Sequence, residues 1–60
     1  MELQGNNFGE RLLEARKAKE FTRENLAKLV HISSKTIANY ESGERYPTID
    51  IASRLAAALD

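Results

Sequence analysis

The chain has 60 residues, 42% of them hydrophobic and 30% charged, with no cysteine and a formal net charge of zero. That length holds one small domain, near the lower limit at which a hydrophobic core alone sustains a fold, and leaves no room for a separate substrate domain. The composition is too apolar for a disordered chain, and no apolar run approaches the ~18 residues that span a bilayer.

The N-terminal MELQGNN has neither the basic start nor the apolar centre of a signal peptide. With no cysteine there is no disulfide framework and no thiolate metal site, and a domain this small without staples points to the cytoplasm. The zero net charge hides a pattern. Residues 16–40 carry Arg16, Lys17, Lys19, Arg23, Lys28 and Lys35 against Glu20 and Glu24, while the segments on either side are acidic. A polyanion responds to charge within a Debye length of ~8–10 Å rather than to the total, so the middle third is the candidate surface for one. An ordinary mixed surface would give the same count.

The periodicity predicts four helices and no strands. Residues 1–7 read as an N-terminal tail and 8–60 as the domain. Asn7 caps the first helix, with Glu10 three residues on in the manner of a capping box. Phe8, Leu12, Ala15 and Leu13 supply its apolar stripe, and it fades around Lys17 to Lys19, where cations suit the helix dipole. Thr22 caps a second helix with Glu24 in its first turn and Leu26, Ala27, Leu29 and Val30 as apolar residues. It ends near Val30, and His31 stands where a positive φ is wanted.

Ser33 caps a third helix whose inward face is Ile37 and Tyr40, with Ile32 packing just before the cap. Ser42 and Gly43 end it. Glu44 to Pro47 form a loop. Thr48 then caps a fourth helix with Ile49, Ala52, Leu55, Ala56 and Leu59 as its stripe.

Only His31, Ile32 and the cap Ser33 separate the second and third helices. So short a connection fixes one helix across the other at roughly 90–120°, the helix-turn-helix arrangement. The third helix, about residues 33–42, then presents its N-terminal front outward and fits a DNA major groove. Lys35 can donate to guanine O6 and N7, and Asn39 can pair bidentately with adenine. Ser34 can donate or accept, and the Thr36 methyl can meet a thymine methyl. No acid lies between Ile32 and Tyr40. The helix starts at Thr22 and Ser33 offer free N–H groups to phosphates, Arg23 adds a charged contact, and Arg45 and Tyr46 in the loop can clasp the backbone beyond.

Taken together, the residues FGERLLEARKAKEFTRENLAKLVHISSKTIANYESGERYP resemble the Cro/C1-type (XRE) helix-turn-helix domain of phage repressors and bacterial regulators. The resemblance spans about residues 8–59. It rests on Arg16, on Thr22 followed by Leu26 and Ala27, on Ile32, Ser33 and Ile37, and on the run from Tyr40 to Arg45 ending at Pro47.

The resemblance implies an all-α, lambda-repressor-like fold of four helices, five in the full family. It implies base reading by Ser34, Lys35 and Asn39 with Thr36 nearby, phosphate contacts near Thr22, Arg23 and Arg45, and a largely buried ion pair between Arg16 and Glu41. The implied function is sequence-specific binding of double-stranded DNA by a cytoplasmic, nucleoid-associated transcriptional regulator, as a homodimer on a palindromic operator. Neither a cofactor nor a membrane partner is expected.

Four departures stand out. Arg23 replaces a common glutamine, Glu20 and His31 replace usual glycines, Ala52 replaces a larger apolar residue, and the fifth helix has no counterpart. The last makes the chain read as a fragment or a minimal domain.

Plainer readings compete. Lys35 and Asn39 fit solvent-facing residues without a partner. His31, the sole histidine, fits a turn better than a metal ligand or a base. Ser33 fits a cap better than a nucleophile, and Glu41 an ion pair better than a catalytic acid. Tyr40 fits the core, while Tyr46 fits either the core edge or a phosphate contact. A protein-interaction module, antitoxin-like or a polymerase-associated adaptor, is the alternative function. An enzyme is disfavoured, since no catalytic residue, metal-ligand spacing or phosphate-cradling loop is present.

Overall fold

A computed structural model of the protein describes residues 8–60. It contains α1 (Phe8–Ala18), α2 (Arg23–Val30), α3 (Ser34–Ser42) and α4 (Ile49–Leu59), with no strand among the described residues. The expected cap at Asn7 lies outside the described residues.

The other three starts are capped by a hydroxyl on an extended backbone. Thr22 Oγ1 accepts from the Asn25 amide at 3.0 Å, Ser33 Oγ from the Thr36 amide at 3.1 Å, and Thr48 Oγ1 from the Ile51 amide at 3.2 Å. Asn25 Oδ1 in turn accepts from the Thr22 amide at 3.3 Å, closing a reciprocal box through Asn25, while Glu24 serves only as first-turn charge.

Three helices stop in the same way. Glu20 (φ 61°), His31 (φ 62°) and Gly43 (φ 86°) adopt the left-handed conformation. In each case the next amide reaches back five residues: Phe21 to the Arg16 carbonyl, Ile32 to Ala27 and Glu44 to Asn39, at 3.0–3.1 Å. The last helical carbonyls are thereby satisfied while the chain turns sharply. Glycine takes this conformation freely, whereas a side chain costs ~1–2 kcal/mol.

The core is Leu12, Leu26, Ala27, Val30, Ile37, Tyr40 and Leu55, ringed by Phe8, Phe21, Ile32, Ile51, Ala58 and Leu59. α3 packs against both α1 and α2, and α4 against α2. Phe8 meets Tyr40 edge-on, with centroids 6.3 Å apart. Arg54 ties α4 to α2. Its Nη1 donates to the Val30 carbonyl at 3.3 Å and its Nη2 to Asp50 at 2.9 Å.

Three apolar expectations fail for reasons of helix phase. Ile49 is 87% exposed and Ala56 is exposed, because the inward stripe of α4 runs through Ile51, Leu55, Ala58 and Leu59. At ~100° per residue, Ile49 and Ala56 sit about a third of a turn from Leu55. Leu29 is 54% exposed for the same reason, lying off the Leu26, Ala27 and Val30 face. No helix among the described residues is long and apolar enough to cross a membrane.

Gly9 lies where α1 crosses the end of α3. A Cβ there would come within 2.6 Å of the Tyr40 and Glu41 carbonyl oxygens. Gly9→Ala should therefore lower the unfolding free energy by about 1–3 kcal/mol despite alanine's better helix propensity, as read by urea titration. His31→Gly should act the other way, by about 0.5–1 kcal/mol in the same assay, since relief of the left-handed strain exceeds glycine's added unfolded-state entropy.

Candidate nucleic-acid interface

α3 is held from behind by Ile37 and Tyr40, and near its end by Glu41. Arg16 Nε donates to Glu41 Oε2 at 2.6 Å and Arg16 Nη2 to Oε1 at 3.3 Å, a two-point fork. The third nitrogen of that guanidinium, Nη1, donates to the Phe21 carbonyl at 2.9 Å. The two side chains are 10% and 3% exposed.

A second arginine reaches the same carboxylate: Arg23 Nε donates to Glu41 Oε1 at 3.0 Å, from a side chain 48% exposed. Glu41 thus joins α1, the turn after it, and the first residue of α2 to α3. The sequence suggested only a phosphate role for Arg23. Its contact with Glu41 spans 18 positions and leaves no local signal. No buried side-chain nitrogen or oxygen among the described residues lacks a hydrogen-bond partner.

The front of α3 differs from its back. Lys35 is exposed, and Ser34, Thr36 and Asn39 are half-buried. Ser33 and Thr36 share a hydroxyl–hydroxyl bond of 2.8 Å, which restrains the Thr36 rotamer and leaves its methyl as the unbonded group. The side chains of Ser34, Lys35 and Asn39 make no hydrogen bond within the described residues.

Two open clefts flank this front. One lies between the starts of α2 and α3 and is lined by Thr22, Arg23, Glu24, Ser34 and Lys35. The other is lined by Ser33, Lys35, Thr36 and Asn39 on one side and by Arg45, Tyr46 and Thr48 on the other. Lys35 borders both. Tyr46 is 70% exposed, so its ring lies outside the core, whereas Tyr40 is buried within it. His31 is an exposed turn residue, and no cluster of His, Cys, Asp or Glu among the described residues is arranged to hold a metal.

This surface offers donors, one amide and a methyl on a convex helix, bordered by cations. A helix-turn-helix family model matches residues 12–60. The chain belongs to the Cro/C1-type helix-turn-helix family. A solved structure similar to this helix-turn-helix domain is that of the restriction-modification controller protein C.AhdI from Aeromonas hydrophila. The two are 38% identical, with a TM-score of 0.84 over 88% of this chain and 80% of the other. No curated protein matches the chain.

Sequence reasoning overlooked three residues that shape this helix-turn-helix domain. Asn25 was legible from its position three residues after Thr22, and Arg54 from its spacing of four after Asp50. A glycine inside a helix, as at Gly9, hints at close backbone approach without naming the neighbour.

Arg16→Ala should destabilise the domain by about 3–5 kcal/mol, because it strands the Glu41 carboxylate in a desolvated site. Replacing both Arg16 and Glu41 with apolar residues of similar volume should cost clearly less, and chemical denaturation of the single and double variants measures the difference.

Proposed function

We propose that this protein is a sequence-specific double-stranded DNA-binding regulator that inserts the N-terminal front of α3 into the major groove. One observation carries the reading: α3 is fixed by its buried back and by Glu41, while the side chains of Ser34, Lys35 and Asn39 on its front have no hydrogen-bond partner among the described residues. A helix of roughly 10–12 Å diameter with its side chains matches a major groove about 12 Å wide.

In this reading Lys35 addresses guanine, Asn39 adenine, Ser34 a neighbouring donor or acceptor, and the Thr36 methyl a thymine. Thr22, Arg23, Ser33, Arg45 and Tyr46 lie along the two flanking clefts and contact phosphates, which fixes register without reading sequence. The membership of the family and the likeness to a restriction-modification controller support a regulatory, non-enzymatic role in the cytoplasm.

A single helix front of this size reads only a few base pairs. Alone it binds near the non-specific range of ~10⁻⁴–10⁻⁶ M. Two copies on an inverted repeat, with half-sites about one helical turn apart, raise both affinity and specificity.

Selection of bound duplexes from a random pool should enrich a short motif arranged as an inverted repeat. On that motif, Lys35→Ala and Asn39→Ala should each cost about 1–3 kcal/mol and relax preference at one or two base pairs. A uniform loss across all sequences would assign these residues to phosphate contact alone. Absence of any salt-sensitive DNA binding would favour a protein-interaction module.

A further inference from the structure

Glu41 serves two arginines in unequal ways. Arg16 commits all three guanidinium nitrogens, two to Glu41 and one to the Phe21 carbonyl. Arg23 commits only Nε, and its Nη1 and Nη2 have no partner among the described residues. The Arg23 side chain is 48% exposed and lines the cleft between the starts of α2 and α3, beside Ser34 and Lys35. One edge of its guanidinium is therefore fixed, and the terminal fork is left unbonded. Arg16 already balances the Glu41 carboxylate, so the three-residue cluster keeps one positive charge, and the exposed part of that cluster is Arg23.

We propose that Glu41 is a positioning residue for DNA binding: it holds Arg23 by Nε so that the terminal fork grips one backbone phosphate beside α3. This inference rests on the DNA reading above. An untethered surface arginine must give up rotamer freedom when it meets a phosphate, and a tethered one has already given it up. The planar fork also matches two phosphate oxygens at once, which a point charge does not.

Placement matters here because Glu24 lines the same cleft and opposes an anion. Lysine at this position cannot reproduce the arrangement. Its ammonium keeps three N–H donors but on one atom, so it cannot hold Glu41 by one edge and present a planar two-point fork to the phosphate by another. The grip is also coupled to orientation, since the carboxylate that holds Arg23 sits on α3 itself.

The test uses the full chain and a mixed-sequence duplex, with binding followed by fluorescence anisotropy between about 50 and 200 mM salt. Wild type, Arg23→Ala and Arg23→Lys are compared, each checked for folding by thermal melting. Both variants should bind more weakly at low salt, and Arg23→Ala, which removes the charge, should lose about 0.9 from the log–log salt slope, one phosphate contact.

In the wild type, the Arg23 Nε–H should stay protected from hydrogen exchange by NMR both free and on DNA. Wild-type affinity in Arg23→Lys would overturn the proposal, because charge without the tethered fork would suffice. An unchanged slope in Arg23→Ala would overturn it too, as would loss of Nε–H protection on DNA. If the wild type shows no salt-sensitive binding, the DNA reading itself falls and this inference with it. That result is distinct from a bound wild type with an indifferent position 23.

Discussion

The Glu41 carboxylate is the point on which the arrangement of helices turns. It is 3% exposed and accepts three N–H groups from two arginines that start on different helices. A buried pair of this kind adds little net stability, since desolvation offsets most of the attraction, but it is costly to leave half-made. Its effect is directional. An apolar face of Ile37 and Tyr40 can slide or rotate slightly with little change in burial, whereas a two-point fork at 2.6 and 3.3 Å fixes angle and register together. The orientation of α3 is what a groove-reading helix must have defined before it meets DNA.

Each helix has only 8 to 11 residues and would be marginal alone in water. Their lengths are set by strong local punctuation. Hydroxyl caps open three of them, and left-handed residues close three. Two of those left-handed residues are Glu20 and His31, so the chain keeps its sharp turns at an energetic disadvantage that glycine would remove. The turn from Val30 to Ser34 is the consequential one: it sets α2 and α3 at their crossing angle and leaves the cleft that Arg23 and Lys35 share.

Polar groups are distributed in two ways. Inside, every side-chain donor and acceptor among the described residues is matched, including the whole of the Arg16 guanidinium. On the front of α3, the side chains of Ser34, Lys35 and Asn39 have no hydrogen-bond partner among the described residues. Such a surface adds nothing to folding, and its free donors and acceptors are available for recognition. Ser33 and Thr36 occupy the boundary between these roles, since both complete a cap and both face the second cleft.

Much of the fold was legible in the sequence because its signals are local. Thr22, Ser33 and Thr48 as caps, the ends at His31 and Gly43, and the inward residues Leu12, Leu26, Ile37, Tyr40 and Leu55 all follow from neighbours within about five positions. The polar front of α3 follows as the complement of its buried face. The resemblance to a known family supplied the pairing of Arg16 with Glu41, which periodicity alone does not give. Tertiary structure decided the rest. Ile49 and Leu29 are apolar yet exposed, because only the packed helices define which phase is inward. Gly9 has its reason in two carbonyl oxygens more than thirty positions away. The contact of Arg23 with Glu41, 18 positions apart, exists because three helix axes meet there. Backbone hydrogen bonding and side-chain period are properties of a short stretch of chain. The meeting of distant side chains is a property of crossing angles, which no short stretch contains.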